Sequence, residues 1–132
     1  MTDEAPRIRI LYVEDEPDIR EVTRLALEFS GRFDLRICDS GDQALRESPA
    51  FKPDLILLDV MMPGMDGLTL MNRLRAESET VLTPVVFMTA KVQSSEISRY
   101  LDLGAASVIP KPFDPRTLGD RVMDILAKHH AA

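Results

Sequence analysis

At four places in the 132-residue chain, an apolar, strand-like run ends on a side chain able to do chemistry. Leu55-Ile56-Leu57-Leu58 ends on Asp59, and Ile8-Arg9-Ile10-Leu11-Tyr12-Val13 ends on Glu14-Asp15-Glu16. Val85-Val86-Phe87-Met88 stops at Thr89, and Val108-Ile109 runs through Pro110 into Lys111 and Pro112. Carboxylates gathered within a few ångströms repel, which raises their pKa values unless a cation joins them. Hard oxygen ligands at a partly open site suit Mg²⁺, which keeps several waters and takes only one or two carboxylates directly. A lysine ammonium and a threonine hydroxyl beside such an ion can meet the oxygens of a phosphoryl group. A carboxylate such as Asp59 can then be the nucleophile, giving an aspartyl phosphate.

Each residue also has a plainer use. Glu14-Asp15-Glu16 suits the acidic first turn of a helix. Thr89 suits a turn, Lys111 a solvated position, and Asp59 a structural role, although Asp66 stands better placed to cap the helix that follows. What gives the set its meaning is that all four runs end at the same edge of one sheet, and that depends on the elements that carry them.

The Leu55–Leu58 and Val85–Met88 runs read as strands buried on both faces, the pattern of a parallel sheet. Phe33-Asp34-Leu35-Arg36-Ile37-Cys38 alternates, as a strand at a sheet edge would. Between the strands lie helical patterns. Pro17 opens the first, Ile19, Val22, Leu25, Ala26 and Phe29 recur along it, and Gly31 ends it. Ser40 caps a second helix through about Glu47, ahead of Pro49 and Pro53. The third runs from about Gly67 to Glu77. Ser94 or Ser95 opens the fourth, with Ile97, Tyr100, Leu101 and Leu103 as its inner stripe. Asp114-Pro115 opens the fifth, with Leu118, Val122, Ile125 and Leu126 inward, and Ala127 to Ala132 reads as a fraying end.

Five strands alternating with five helices require right-handed crossovers onto a parallel sheet. The predicted fold class is α/β, a three-layer αβα sandwich whose five-stranded parallel sheet has the order 2-1-3-4-5. In such sheets ligands bind at the carboxyl edge, which is where Asp59, Glu14, Asp15, Thr89 and Lys111 stand. Lys111-Pro112 is a candidate cis bond that aims the lysine inward.

The totals narrow the function classes. The length fits a single domain over residues 1–132, with a core from about 7 to 127, and 45% hydrophobic residues can fill it. A net charge of −6 and a pI near 4.9 predict no direct DNA binding, since duplex binding rests on cationic side chains. The acidic N-terminus is no secretory signal, and no apolar run is long enough for a membrane span. Cys38 is alone, which fits a reducing, cytoplasmic setting.

On these residues the chain resembles a response regulator receiver domain, the phosphoacceptor module of two-component signalling, from about Arg7 to Ala127. The resembling pieces are Tyr12-Val13-Glu14-Asp15-Glu16, Leu57-Leu58-Asp59-Val60-Met61-Met62-Pro63-Gly64-Met65-Asp66-Gly67, Met88-Thr89-Ala90 and Lys111-Pro112-Phe113. The resemblance implies that Asp59 accepts a phosphoryl group from a sensor histidine kinase or a histidine phosphotransfer protein. It also implies that Asp15, Asp59 and the Met61 carbonyl bind Mg²⁺ directly, with Glu14 acting through water. Thr89 then reaches the phosphoryl group after transfer, and Lys111 pairs with it.

One position departs from the family pattern. Val108 stands where an aromatic residue usually rotates behind the switch threonine, and valine has no ring and a stiff χ1. The Thr89/Val108 switch therefore needs another readout, with Tyr100 as a substitute ring. No output segment follows Lys128. If the chain is whole, output is a contact with an unnamed protein through the face of the fourth helix, fifth strand and fifth helix, and a homodimer is open.

Three other readings fit less well. A phosphatase-like enzyme wants a second acid two residues past the nucleophile, where this chain has Met61, so turnover of an external substrate is not expected. A nucleotide-binding domain wants a Gly-rich loop after the first strand, where this chain has Glu14-Asp15-Glu16. A pseudo-receiver scaffold that binds protein without phosphorylation is the remaining alternative. Met61 and Lys91 flank the approach of hydrolytic water and are expected to tune the lifetime of the phosphorylated state.

Overall fold

The computed structural model describes residues 7–90 and 93–131. The chain alternates β1 (Ile8–Val13), α1 (Pro17–Ser30), β2 (Phe33–Cys38), α2 (Gly41–Phe51) and β3 (Leu55–Asp59). It continues with α3 (Gly67–Arg75), β4 (Val85–Thr89), α4 (Ser94–Asp102), β5 (Ser107–Pro110) and α5 (Leu118–Ala131). All pairings are parallel and the strand order is β2-β1-β3-β4-β5, the order expected from the sequence.

Side chains alternate across a strand, and the two faces of the sheet accordingly bury two separate clusters. Leu11, Val13, Ile56, Leu58, Val85, Phe87 and Val108 meet α2, α3 and α4 through Ala44, Leu70, Met71, Leu74 and Tyr100. Ile10, Tyr12, Leu55, Leu57, Val86, Met88 and Ile109 meet α1 and α5 through Ala26, Leu27, Leu118, Val122 and Leu126. β3 and β4 are buried along their whole length, as their unbroken apolar runs require. β2, at the sheet margin, alternates between buried and exposed.

The expected caps form at two helices. The Ser40 hydroxyl accepts from the Gln43 N–H, and the Asp66 carboxylate accepts from the Thr69 N–H. Gly31 ends α1 in the left-handed region at φ 71°, where a side chain would be strained.

The structure corrects five local expectations. α2 does not stop at Glu47 but carries Pro49 inside it and ends at Phe51. Proline removes one N–H from the ladder, and with only two residues left to run the helix tolerates it. Asp114-Pro115 does not open α5. The Asp114 carboxylate accepts from Arg116 N–H and its carbonyl from Thr117 N–H, closing a turn of the Asx kind, and the helix starts at Leu118. Gln93, not Ser94 or Ser95, is the N-cap residue of α4, and its side chain makes no cap bond. α5 does not fray at Ala127 but continues to Ala131, with Lys128, His129 and His130 in its last turn, where cations suit the helix dipole.

The fifth correction concerns which face each helix buries. On α1 the buried residues are Thr23, Ala26 and Leu27, whereas Val22, Leu25 and Phe29 are exposed, Phe29 at 89%. On α4 only Tyr100 is buried, and Leu101 and Leu103 point outward. Periodicity locates apolar residues around a helix, but the arc that the sheet covers is set by docking. Thr23 is covered because its hydroxyl accepts a hydrogen bond from Tyr12 in the core. Among the described residues no helix is long and apolar enough to cross a membrane.

Candidate functional site

The strand registers place the chemistry at one edge. Val13 lies beside Leu58 and Cys38, Asp59 beside Met88, and Thr89 beside Pro110. Three backbone bonds carry the ladder across the strand ends: Glu14 N–H to Cys38 O (3.1 Å), Val60 N–H to Met88 O (3.3 Å) and Lys111 N–H to Thr89 O (2.8 Å). Residues far apart in the chain are thereby fixed at a common height.

Glu14, Asp15 and Asp59 converge, each offering a carboxylate oxygen within 4.8 Å of the others. Lys111 enters between two of them. Its Nζ donates to Glu14 Oε1 at 2.8 Å and lies 3.4 Å from Asp59 Oδ1. The Lys111–Pro112 peptide is cis. Glu14 and Asp59 are buried and the Lys111 side chain is nearly so, so these charges are poorly screened by water. Burial pushes the Glu14 carboxyl up to about 7, with the Lys111 ammonium opposing the shift and Asp59 adding to it.

Glu14 is also tied to the core. The Tyr12 hydroxyl donates to Thr23 Oγ1 at 3.0 Å and lies 3.4 Å from Glu14 Oε1. Burial, reinforced by Glu14, raises the Tyr12 hydroxyl well above the usual phenol range, so it stays protonated and able to donate. Glu14 Oε2 accepts from the Glu16 N–H at 3.3 Å.

Asp59 is positioned from below by a glycine. The Gly67 N–H donates to Val60 O at 3.0 Å, and a Cβ built on Gly67 would lie 2.6 Å from the Asp59 carbonyl oxygen. Only glycine lets the start of α3 approach β3 so closely. Asp59 Oδ1 also accepts from the Met61 N–H at 3.2 Å.

The acidic trio fits a divalent cation. Asp15 Oδ1 is buried without a hydrogen-bond partner, and buried carboxylate oxygens are ordinarily bonded. An oxygen ligand set facing a hard cation removes that deficit.

The remaining expected residues fall as follows. Thr89 is buried at the end of β4, and alternation puts it on the α4 side of the sheet. Val108 pairs with Phe87 in the β-ladder and is buried with it. Tyr100, from α4, fills the adjoining space and meets Phe87 edge-on, with ring centroids 5.4 Å apart. Met61 is exposed at 60%, and Lys91 lies outside the described residues. Sequence reasoning missed three neighbours of the trio: Tyr12, Thr23 and Arg20, whose Nη1 donates to the Glu14 carbonyl. For Arg20 a signal was available, an arginine one helical turn beyond the acidic run.

Beside the trio, Ile19, Val22, Ala90, Pro112 and Phe113 line an apolar groove that reaches Lys111, and a second groove continues along α1 over Val22, Leu25, Phe29 and Pro115.

Known proteins resemble this chain over most of its length. Residues 10–123 match the response regulator receiver domain family. The transcriptional regulatory protein CseB of Streptomyces coelicolor is 39% identical over 124 residues, covering 94% of this chain and 51% of that protein. The DNA-binding response regulator MtrA of Mycolicibacterium smegmatis is 40% identical over 116 residues, covering 88% and 49%. Among solved structures, the chemotaxis protein CheY4 of Vibrio cholerae superposes with a TM-score of 0.83 at 26% identity, covering 91% of this chain and 99% of that one. A response regulator from Desulfuromonas acetoxidans gives 0.81 at 27% identity, covering 92% and 98%.

The chain spans about half the length of the curated relatives it matches. These names correct the expectation that excluded DNA: relatives 37–40% identical to this chain are named as DNA-binding or transcriptional regulators. The charge of −6 describes 132 residues, about half of such a protein, and a phosphoacceptor half has no need to be basic in a regulator that binds DNA. The matched family, the strand order and the acidic trio with its lysine all agree: this chain belongs to the response regulator receiver domain family.

Proposed function

We propose that this receiver is a Mg²⁺-dependent, cytoplasmic phosphoacceptor switch in which Asp59 takes a phosphoryl group from a histidine of a sensor kinase or phosphotransfer protein. The observation that supports this reading most directly is the convergence of Glu14, Asp15 and Asp59 on one edge, with Lys111 reaching in beside them. In the reaction an Asp59 carboxylate oxygen attacks phosphorus, the phosphorus–nitrogen bond breaks, and the histidine nitrogen leaves with the electron pair. Asp15, Asp59 and the Met61 carbonyl would hold the ion directly, and Glu14 would assist through water. Mg²⁺, when bound, offsets the negative charge of the carboxylates and of the phosphoryl oxygens.

The chain's own groups do the rest. The Met61 N–H steadies the Asp59 carboxylate, and the close packing of Gly67 fixes the strand end that carries it. Lys111 exchanges its contact with Glu14 for a phosphoryl oxygen, and Thr89 donates to another. Pulling Thr89 toward the phosphoryl group opens space on the α4 side of the sheet, where Tyr100 and Phe87 supply the aromatic packing that Val108 cannot. The unit acts once per phosphoryl group as a switch rather than turning over an external substrate: Met61 offers no acid two residues past Asp59.

The test is intact-protein mass spectrometry after incubation with Mg²⁺ and acetyl phosphate. One phosphoryl addition is expected in the wild type, lost on chelation of Mg²⁺ and absent from a folded Asp59→Asn variant. Equal uptake by that variant would remove Asp59 from its role. No uptake by the wild type, even from histidine kinases, would leave a scaffold that binds protein without phosphorylation.

A further inference from the structure

Two of the three converging carboxylates sit on the short β1–α1 connection, and an arginine outside the acidic set holds that connection in place. Arg20, half-buried on the first turn of α1, points back toward the strand end. Its Nη1 donates to the Glu14 carbonyl at 3.0 Å and to the Asp15 carbonyl at 3.3 Å. These two carbonyls belong to the peptide units on either side of the Asp15 Cα. Fixing both planes fixes the backbone dihedrals of Asp15, and so the direction in which its side chain leaves the chain. Asp15 Oδ1 is the buried oxygen that has no hydrogen-bond partner.

The choice of acceptors matters as much as their position. Arg20 makes no ion pair with a carboxylate among the described residues; the guanidinium spends its donors on main-chain oxygens. A guanidinium turned a few ångströms the other way would engage the Asp15 carboxylate and compete with a cation for it. The N-cap residue, Glu16, makes no side-chain cap bond, so the connection gains no rigidity from an ordinary helix cap.

We propose that Arg20 is a positioning residue for the cation site, clamping the Asp15 backbone so that its carboxylate is presented free to the metal. The proposal rests on the reading above that the acidic trio holds Mg²⁺. It also fixes the sign of an effect that charge alone would reverse. A positive group near a divalent cation repels it, so if charge were all that Arg20 contributed, its removal would tighten Mg²⁺ binding. Clamping predicts the opposite, by about tenfold, as for other groups that orient metal ligands from outside the coordination shell.

The test is calorimetric titration of the purified chain with Mg²⁺, comparing wild type, Arg20→Met and Arg20→Gln, each checked for folding by circular dichroism. Arg20→Met, which keeps the apolar stem without donors, is expected to bind Mg²⁺ about tenfold more weakly. Arg20→Gln, which keeps an amide donor without charge, is expected to fall between it and wild type. Phosphorylation from acetyl phosphate should need correspondingly more Mg²⁺ for half-saturation, while the rate at saturating Mg²⁺ stays close to wild type. Wild-type binding with unchanged or tighter binding in Arg20→Met would overturn the role of Arg20. If Arg20→Met does not fold, Arg20→Gln decides by the same comparison. Failure of the wild type itself to bind Mg²⁺ would instead strike the cation site, and with it the proposed function.

Discussion

Glu14 has neighbours of both signs: the Lys111 ammonium at 2.8 Å, the carboxylate of Asp59 close by, and a core that has excluded water. Burial dominates, and the group is held at about 7 against an ordinary 4.5. The consequence for stability has a definite sign. Between pH 4.5 and 7 the folded chain holds a proton at Glu14 that the unfolded chain has released, so stability falls as pH rises through that window. At about 1.36 kcal/mol per pK unit the total is on the order of 3 kcal/mol. Without Mg²⁺, the wild type should gain stability relative to Glu14→Gln as pH is lowered from 8 to 5, as read by urea denaturation. A pH-independent difference between the two would show that Glu14 ionises as it does in the unfolded chain.

At the scale of elements, the loop between β3 and α3 makes the tightest demand. Pro63 and Gly64 lie within it, and Gly67, the first residue of α3, is needed because backbone approaches backbone behind Asp59. Gly67→Ala should cost about 1–3 kcal/mol, the range for overpacking a closed site, and should slow phosphorylation of Asp59 by displacing the strand end. Chemical denaturation and acetyl phosphate kinetics check both effects, and full activity with full stability would show that α3 can retreat without disturbing Asp59. α4 lies at the other extreme. It buries only Tyr100 along its length, and the Arg75 side chain, from the end of α3, donates to the carbonyls of Leu103 and Gly104 just beyond it. With only Tyr100 fully buried and Ile97 packed beside it, α4 is anchored by few apolar side chains on the Thr89 side of the sheet.

Across the whole molecule, the two sheet faces divide the labour. Glu14, Asp59 and Lys111 follow the strand parity of Tyr12, Leu57 and Ile109, on the α1/α5 side, whereas Thr89 follows Phe87 toward α4. On the proposed function, the phosphoryl group would be received on one side and sensed on the other. On the receiving side, Val22, Leu25 and Phe29 form an exposed apolar strip leading from Lys111 along α1. Grouped exposed apolar side chains can serve as a contact surface, and on the proposed function their continuity with the Asp59 edge would suit a phosphodonor protein. Replacing Leu25 and Phe29 together by Gln should change stability by less than about 1 kcal/mol and leave uptake from acetyl phosphate intact. Transfer from a phosphorylated donor protein should slow at least severalfold. Equal rates with the protein donor would place its contact elsewhere.

The sequence by itself determined the five strands, their parallel order, the edge where Asp59, Glu14, Asp15, Thr89 and Lys111 meet, and the absence of a ring at Val108. These follow from local causes: apolar runs of strand length, breakers at their ends, and the handedness of crossovers. Only the tertiary structure decided which arc of α1 and α4 is covered, that Lys111 reaches Glu14 across 97 positions of chain, that Gly67 touches Asp59, and that Arg20 grips both peptides around Asp15. Those depend on how packed elements rotate and slide against one another, and a periodic pattern along one segment carries no information about the neighbour it will meet. The reach of the charge argument was likewise a matter of scale, since a net charge of −6 describes this chain and not the longer DNA-binding regulators to which it is similar.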